Sequence, residues 1–335
     1  MFNVLFMNRN TGAGVEFEGN IFINILQRTI GVDNIDIYSS QCKNELGKYD
    51  LSPYDLIILN DFNINNYIEF NDLDIPIINI NFGGTGNRSE SIDIVLDLNI
   101  LYTSYYEKYM WNYYPINFIS GNIWKKYKEW NQRSNNILYV ARLSPTKITP
   151  EFLNYVKGLG KTIDFYGPIT DKQYYEENKD VINYKGYVSH KELVDVYNRY
   201  KTIYLYSTTE CLSMTLREAI LCGTVPIVYD DCNYTKPIEN YIFKHQGIIP
   251  GQEVMLEIAE EIHDYIEKNR HFLENYFSFD KMILDFIFCI RGLTLKDLKF
   301  NKNHNVKVNQ LHDTRIDDVY AYENDTAINW NNVNI

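Results

Sequence analysis

The feature that most constrains the fold is a series of short apolar runs, rich in Ile and Val, that occurs twice along the chain. The first series is NVLFM (3–7), IDIY (35–38), DLIILN (55–60), IPIINI (75–80) and IDIVLD (92–97). Such β-branched runs, separated by stretches long enough for helices, predict a parallel sheet wound by crossovers. An aromatic and then basic segment, 112–133, reads as a connection. The pattern then restarts with NILYVAR (136–142), TIDFYG (162–167), VINYKGYV (181–188), TIYLYST (202–208) and VPIVYD (225–230). Helices are expected at Ile21–Thr29, His190–Arg199 and Thr215–Cys222, and after Pro250 at Glu253–Lys268 and Phe279–Leu298. The boundaries predicted are a first lobe at 1–132, a second at 133–275, a helix at 276–299 and a polar, Asn-rich tail at 300–335. A cleft between two α/β lobes follows, with ligands at the carboxyl ends of the strands.

Composition removes several classes. Neither collagen-like, coiled-coil nor wholly disordered chains have 45% hydrophobic and 23% charged residues with only 17 Gly and 9 Pro. Apolar stretches such as Met282–Ile290 are interrupted by charge and fall short of the ~20 residues that span a bilayer. The N-terminus, MFNVLFMNRN, lacks a basic region ahead of its apolar segment, so it reads as a first strand rather than a signal peptide. Five cysteines (Cys42, Cys211, Cys222, Cys232, Cys289) without CxxC spacing fit a reduced, cytoplasmic compartment, with neither a disulfide framework nor a zinc site. The net charge of −12 disfavours a dedicated polyanion binder. The 39 Asn and 29 Tyr suggest an AT-rich genome, as in a virus, a phage or a low-GC bacterium; a viral chain would work in the host cytoplasm.

The most informative segment is 208–231, TTECLSMTLREAILCGTVPIVYDD. A strand ends near Ser207, a loop carries Glu210, and a helix opening near Ser213–Thr215 carries Glu218. Backbone N–H groups at the helix opening suit a phosphate. The two carboxylates suit the hydroxyls of a sugar or a ribose. Glu218 has a second reading, because Thr215-x-x-Glu218 has the spacing of a capping box.

Glu210-x7-Glu218, followed by Ala219 and Cys222-Gly223-Thr224-Val225-Pro226, resembles the signature of retaining GT-B glycosyltransferases of family 4. Four further segments resemble that family in order: FMNRNTGAGVEF (6–17), ARLSPTK (141–147), DFYGP (164–168) and KGYVSHKEL (185–193). The likeness covers about residues 1–20 and 137–232, and it implies two Rossmann-like lobes and a nucleotide-diphosphate sugar as donor. It implies that Arg142 and Lys147 grip the diphosphate, that Glu210 binds the donor sugar and that Glu218 binds ribose. Backbone groups at Leu212, Ser213, Met214 and Thr215 would add to the phosphate grip. Gly12 and Gly14 would approach the donor phosphate or simply form a tight turn. Gly167, Tyr187 and Val188 would shape the nucleobase pocket. A looser likeness to the T-even phage DNA α-glucosyltransferases concerns the acceptor.

The departures also carry information. Cys211-Leu212-Ser213 stands where the family usually has a glycine, and the first lobe contains no histidine to act as a catalytic base. A retaining displacement on one face of the sugar can instead use the leaving phosphate to take the acceptor proton. Gly83-Gly84-x-Gly86 is either a plain loop or part of an acceptor site. Asp72-x-Asp74 and Asp230-Asp231 flank turns, where acids are common, so no metal ligand is assigned and no cofactor is required. Lys125, Lys126 and Lys128 read as a solvated face, His190 as a helix start, and the cysteines as core.

The expected function is therefore retaining transfer of a sugar to an acceptor hydroxyl. The first lobe carries −7, from 9 Lys and Arg against 16 Asp and Glu. It also has many aromatic residues, such as Tyr102, Tyr105, Tyr106, Trp111, Tyr113 and Tyr114. A glycan or glycoconjugate fits such a surface better than hydroxymethylated DNA, which stays as the alternative. A sugar-nucleotide-binding protein without catalysis is the rival class. A Rossmann oxidoreductase lacks its GxGxxG fingerprint here.

Overall fold

The computed structural model describes residues 1–9, 22–23, 26–40, 51–60, 75–81, 94–97, 113–115, 124–207, 213–229, 236–245, 251–276, 299–300 and 308–313. The chain divides into two units, one formed by Met1–Phe118 with Phe279–Ile335, the other by Ile119–Ser278.

The first unit holds a seven-stranded, all-parallel sheet. Its strands are β1 (Asn3–Arg9), β3 (Asn34–Ser40), β4 (Leu56–Asn60), β5 (Ile77–Asn81), β6 (Ile94–Asp97), β7 (Tyr113–Pro115) and β15 (Val308–Asp313), in the order β15-β3-β1-β4-β5-β6-β7. A separate antiparallel pair joins β2 (Thr29–Ile30) to β14 (Lys299–Phe300). Val4, Leu5, Phe6 and Met7 are all buried, and so is every residue of β4. Burial on both faces is why these strands read as unbroken apolar runs rather than alternating ones.

The second unit holds a six-stranded parallel sheet. Its strands are β8 (Ile137–Val140), β9 (Ile163–Tyr166), β10 (Ile182–Gly186), β11 (Thr202–Leu205), β12 (Val225–Tyr229) and β13 (Phe243–His245). Helices α1 (Pro150–Gly158), α2 (Lys172–Asn178), α3 (His190–Arg199), α4 (Met214–Leu221), α5 (Gln252–Lys268) and α6 (Arg270–Tyr276) surround it. Strand order β10-β9-β8-β11-β12-β13 is the doubly wound 3-2-1-4-5-6 order. Successive connections leave β8 in opposite directions, so the loops after β8 and β11 meet at the topological switch point, where α/β sheets bind ligands.

Two predicted boundaries differ from the structure. The division falls after Phe118, not after 132. Trp124 is buried against Tyr197 (ring centroids 5.7 Å apart), and Arg133 is buried among the carbonyls that end α4, so both belong to the second unit. The segment predicted as a loose tail contributes β15, which pairs with β3 from Val308↔Ile35 to Asp313↔Ser39. The helix expected at 279–298 lies outside the described residues.

Candidate active site

The loop after β8 carries Arg142 and Lys147. It is clamped by backbone bonds from its neighbours on both sides of the switch point. Leu143 N–H donates to Pro168 O (2.9 Å), while Thr170 Oγ1 (2.7 Å) and Asp171 N–H (3.1 Å) donate to Leu143 O. The N–H groups of Lys147 and Ile148 both donate to Ser144 O at 3.0 Å, closing a turn. On the β11 side, Tyr139 Oη donates to Lys147 O (2.5 Å) and accepts from Tyr206 N–H (2.8 Å), and Ser207 Oγ donates to Thr146 O (3.1 Å). A bridge between Ile148 and Tyr206 completes the clamp. Arg142 is exposed on this fixed frame, and its guanidinium has no hydrogen-bond or ion-pair partner among the described residues. Lys147 is half-buried.

Gly167, the residue after β9, has to be a glycine. Its φ is +140°, and a Cβ there would sit 1.9 Å from Ala141 O. Its N–H donates to Gly186 O (3.0 Å), drawing the ends of β8, β9 and β10 together. Tyr187 is exposed and Val188 is half-buried against the core, just before α3. Ser189 caps α3 reciprocally with Glu192: the Glu192 N–H donates to Ser189 Oγ, and the Ser189 N–H donates to Glu192 Oε2 (2.8 Å). His190 is the first residue of that helix.

At 215–218 the capping reading is corrected. Helix α4 starts at Met214 with Ser213 as N-cap, and Ser213 makes no side-chain capping bond. Thr215 is therefore the second helical residue, and the spacing of three puts Thr215 and Glu218 on one face of the helix. That face meets α3. Tyr197 Oη donates to Glu218 Oε2 at 2.8 Å, with Thr215 on the same face of α4. Burial pushes the Glu218 carboxyl up to about 7, with the phenol bond opposing the shift, and raises the Tyr197 hydroxyl well above its ordinary range. The α4 backbone N–H groups at Met214 and Thr215 lie in the first turn, where a helix has no internal acceptors.

The other end of α4 is held by cations. Arg133 Nη2 donates to Cys222 O (2.7 Å) and its Nη1 to Thr224 Oγ1 (3.1 Å), while Arg270 Nη1 donates to Leu221 O (2.9 Å). His263 Nδ1 meets Gly223 O (3.1 Å) and stacks on Trp130 at 4.5 Å. Burial lowers Arg133 to about 10, and the positive groups complement the negative end of the helix. Cys222 is a buried free thiol. Lys126, read from sequence as part of a solvated face, instead bonds Glu267 (3.0 Å) and Glu129 (3.2 Å). Neither Tyr197 nor Arg133 was singled out from the sequence, and no motif marks them.

The structure thus brings Arg142, Lys147, Gly167, Tyr187, Val188, Ser213, Met214 and Thr215 to the carboxyl edge of one sheet, with Glu218 one turn inside α4. Glu210, Leu212, Gly12, Gly14, the Gly83–Gly86 turn, Asp72, Asp74, Asp230 and Asp231 lie outside the described residues. Among the described residues, no helix is long and apolar enough to cross a membrane.

Comparisons with known proteins agree with this geometry. The family described as "Glycosyl transferases group 1" matches residues 122–277. The chain is similar to the GtfA subunit of the UDP-N-acetylglucosamine–peptide N-acetylglucosaminyltransferase of Streptococcus agalactiae, 29% identical over 189 residues. That match takes in 50% of this chain and 37% of the relative, so the chain spans well under half of the relative's length. Among solved structures, HepE of Anabaena, in complex with UDP and glucose, aligns with a TM-score of 0.62 at 12% identity, covering 87% of this chain and 100% of that one. The pneumococcal O-GlcNAc transferase GtfA, in complex with UDP and GlcNAc, aligns at 0.50 and 15% identity, covering 72% and 57%. Residues 122–277 are thus similar to the group 1 glycosyl transferases, and the two parallel α/β sheets with their helices are a fold of GT-B type.

Proposed function

We propose that the chain transfers a sugar from a uridine diphosphate sugar to a hydroxyl of a glycan or glycoconjugate, with retention of configuration. The observation that carries the proposal is Arg142, a cation without a partner among the described residues, on a loop clamped at the switch point and on the same sheet edge as the start of α4. Such an arrangement is preorganised for the negative charge that gathers on a leaving diphosphate. In the step proposed, the bond from the anomeric carbon to the phosphate oxygen breaks, and its electrons stay with the diphosphate. The acceptor oxygen bonds to the same face of that carbon, and its proton passes to the phosphate. Arg142, Lys147 and the first-turn N–H groups of α4 stabilise the diphosphate, Glu210 binds sugar hydroxyls, and Glu218 binds the ribose. No metal enters this scheme, because fixed cations and helix N–H groups already meet the diphosphate.

Uridine is favoured because the Streptococcus relative is named for UDP-N-acetylglucosamine and HepE is bound to UDP. The Streptococcus relative is named for a peptide acceptor, which favours a peptide-borne hydroxyl among glycoconjugates. The test is incubation of the full chain with isotope-labelled UDP-glucose or UDP-N-acetylglucosamine and glycan, peptide or hydroxymethylated-DNA acceptors. NMR then reads the anomeric configuration of the product. An α-linked product on glycan or peptide supports the proposal. An inverted linkage contradicts retention, and label only on DNA contradicts the acceptor assignment.

A further inference from the structure

We propose that Tyr197 is a positioning residue for donor binding: through its hydroxyl it holds one oxygen of Glu218 and so presents the carboxylate to the ribose diol. The inference rests on the function proposed above and names a residue that no motif there includes.

Three observations carry it. First, the phenol sits where packing alone would not put one. The Tyr197 side chain is fully buried, with its ring tilted on Trp124 at 5.7 Å, and its carbonyl accepts from Thr224 Oγ1 at 2.5 Å. The backbone and ring are thus fixed by groups that have nothing to do with the hydroxyl. A phenylalanine would fill the same volume without a buried polar atom, which is costly to bury unless bonded. Second, that hydroxyl is engaged at the site: it donates to Glu218 Oε2, and Thr215 lies on the same helix face. Both residues lie on the first two turns of α4, the helix that opens at the phosphate position. Third, the bond leaves the carboxylate half-engaged. Glu218 Oε1 takes no donor among the described residues, and a carboxylate can accept at both oxygens. Burial alone favours the neutral acid, and the phenol is the group that opposes this, keeping an acceptor for the diol. Replacing such a buried polar pair by apolar residues of similar volume is often neutral or stabilising, so stability alone does not explain it.

The test is a double-mutant cycle on the full chain with Tyr197→Phe, Glu218→Gln and the pair, read as calorimetric UDP affinity and as KM and kcat for a UDP-sugar. Tyr197→Phe is expected to weaken UDP binding and raise donor KM about tenfold, with kcat at saturating donor within about threefold. In the Glu218→Gln background the same change should alter affinity less than about twofold, because the phenol has lost the carboxylate it orients. A merely structural phenol would lower the melting temperature and leave UDP affinity and KM where they were; that result overturns the proposal. Equal, additive effects in both backgrounds also overturn it, since Tyr197 would then not act through Glu218. If Glu218→Gln binds UDP as the wild type does, the ribose role itself fails, and the positioning role fails with it. If Tyr197→Phe does not fold, Thr215→Val reads the same coupling from the same face of α4. It should weaken UDP about threefold, and unchanged affinity there overturns the proposal.

Discussion

Gly167 and Ala141 approach so closely that the space between them admits no side chain: a Cβ on Gly167 would lie 1.9 Å from the Ala141 carbonyl oxygen. Because Gly167 also has φ +140°, an L-residue there would meet both a clash and a backbone penalty. Gly167→Ala is expected to lose more than about 3 kcal/mol of stability in urea unfolding. A loss under about 1 kcal/mol would contradict the observed approach.

Arg142 and Lys147 give a different outcome. Both sit on a loop held by backbone bonds, so Arg142→Ala and Lys147→Ala should leave the melting temperature nearly unchanged. Each should raise the barrier for transfer by about 3 kcal/mol, a loss of roughly a hundredfold in kcat/KM. Unchanged turnover in both variants would remove the diphosphate site from this loop.

Arg133 is the structural counterpart. Its guanidinium serves Cys222 O, Thr224 Oγ1 and Lys128 O together, and the segment that holds Trp124 hangs on it. Arg133→Ala would leave several buried acceptors unbonded and should cost about 3 kcal/mol, read by thermal or urea unfolding. Arg133→Lys should recover less than half of that, because an ammonium lacks the planar fork of donors.

Glu218 makes a pH prediction. Its pKa is raised from 4.5 to about 7 in the folded chain. The folded state therefore holds this proton more tightly than the unfolded state, and its contribution is full below pH 4.5 and declines as pH rises through about 7. Glu218→Gln stays neutral throughout. Its stability relative to wild type should therefore climb between pH 5 and pH 8, by up to about 3 kcal/mol. A difference that stays flat over that range would contradict a raised pKa. Taking the difference between two proteins cancels other titrating groups, such as His263.

Much of this was legible in the sequence because it follows from local chemistry. The buried parallel strands announce themselves as β-branched runs, and the helical stretch expected at His190–Arg199 is α3 to the residue. What was missed depends on non-local partners. Strand β15 lies in an Asn-rich segment whose composition suggests a tail, and only pairing with β3, more than 270 residues earlier, makes it a strand. Arg133 sits within a polar run that reads as a linker, because nothing local shows that α4 ends against it. At 215–218 the motif was present but its register was not. Thr215-x-x-Glu218 has capping spacing, yet the helix begins two residues too early for Thr215 to be its cap, and Glu218 turns inward to Tyr197. Helix α1 is not among the sequence expectations, yet Thr149-Pro150-Glu151 carries a legible start: Thr149 accepts from the Phe152 N–H.

In the function proposed above, the carboxyl edge of the second sheet binds a nucleoside diphosphate through the Arg142 loop. Calorimetric titration of UDP into the full chain, beside Arg142→Ala, tests it most directly. The expected result is saturable one-to-one binding that weakens at least about tenfold in the variant, a loss of roughly 1.4 kcal/mol. No binding to the wild-type chain, or equal affinity in the two proteins, would contradict it.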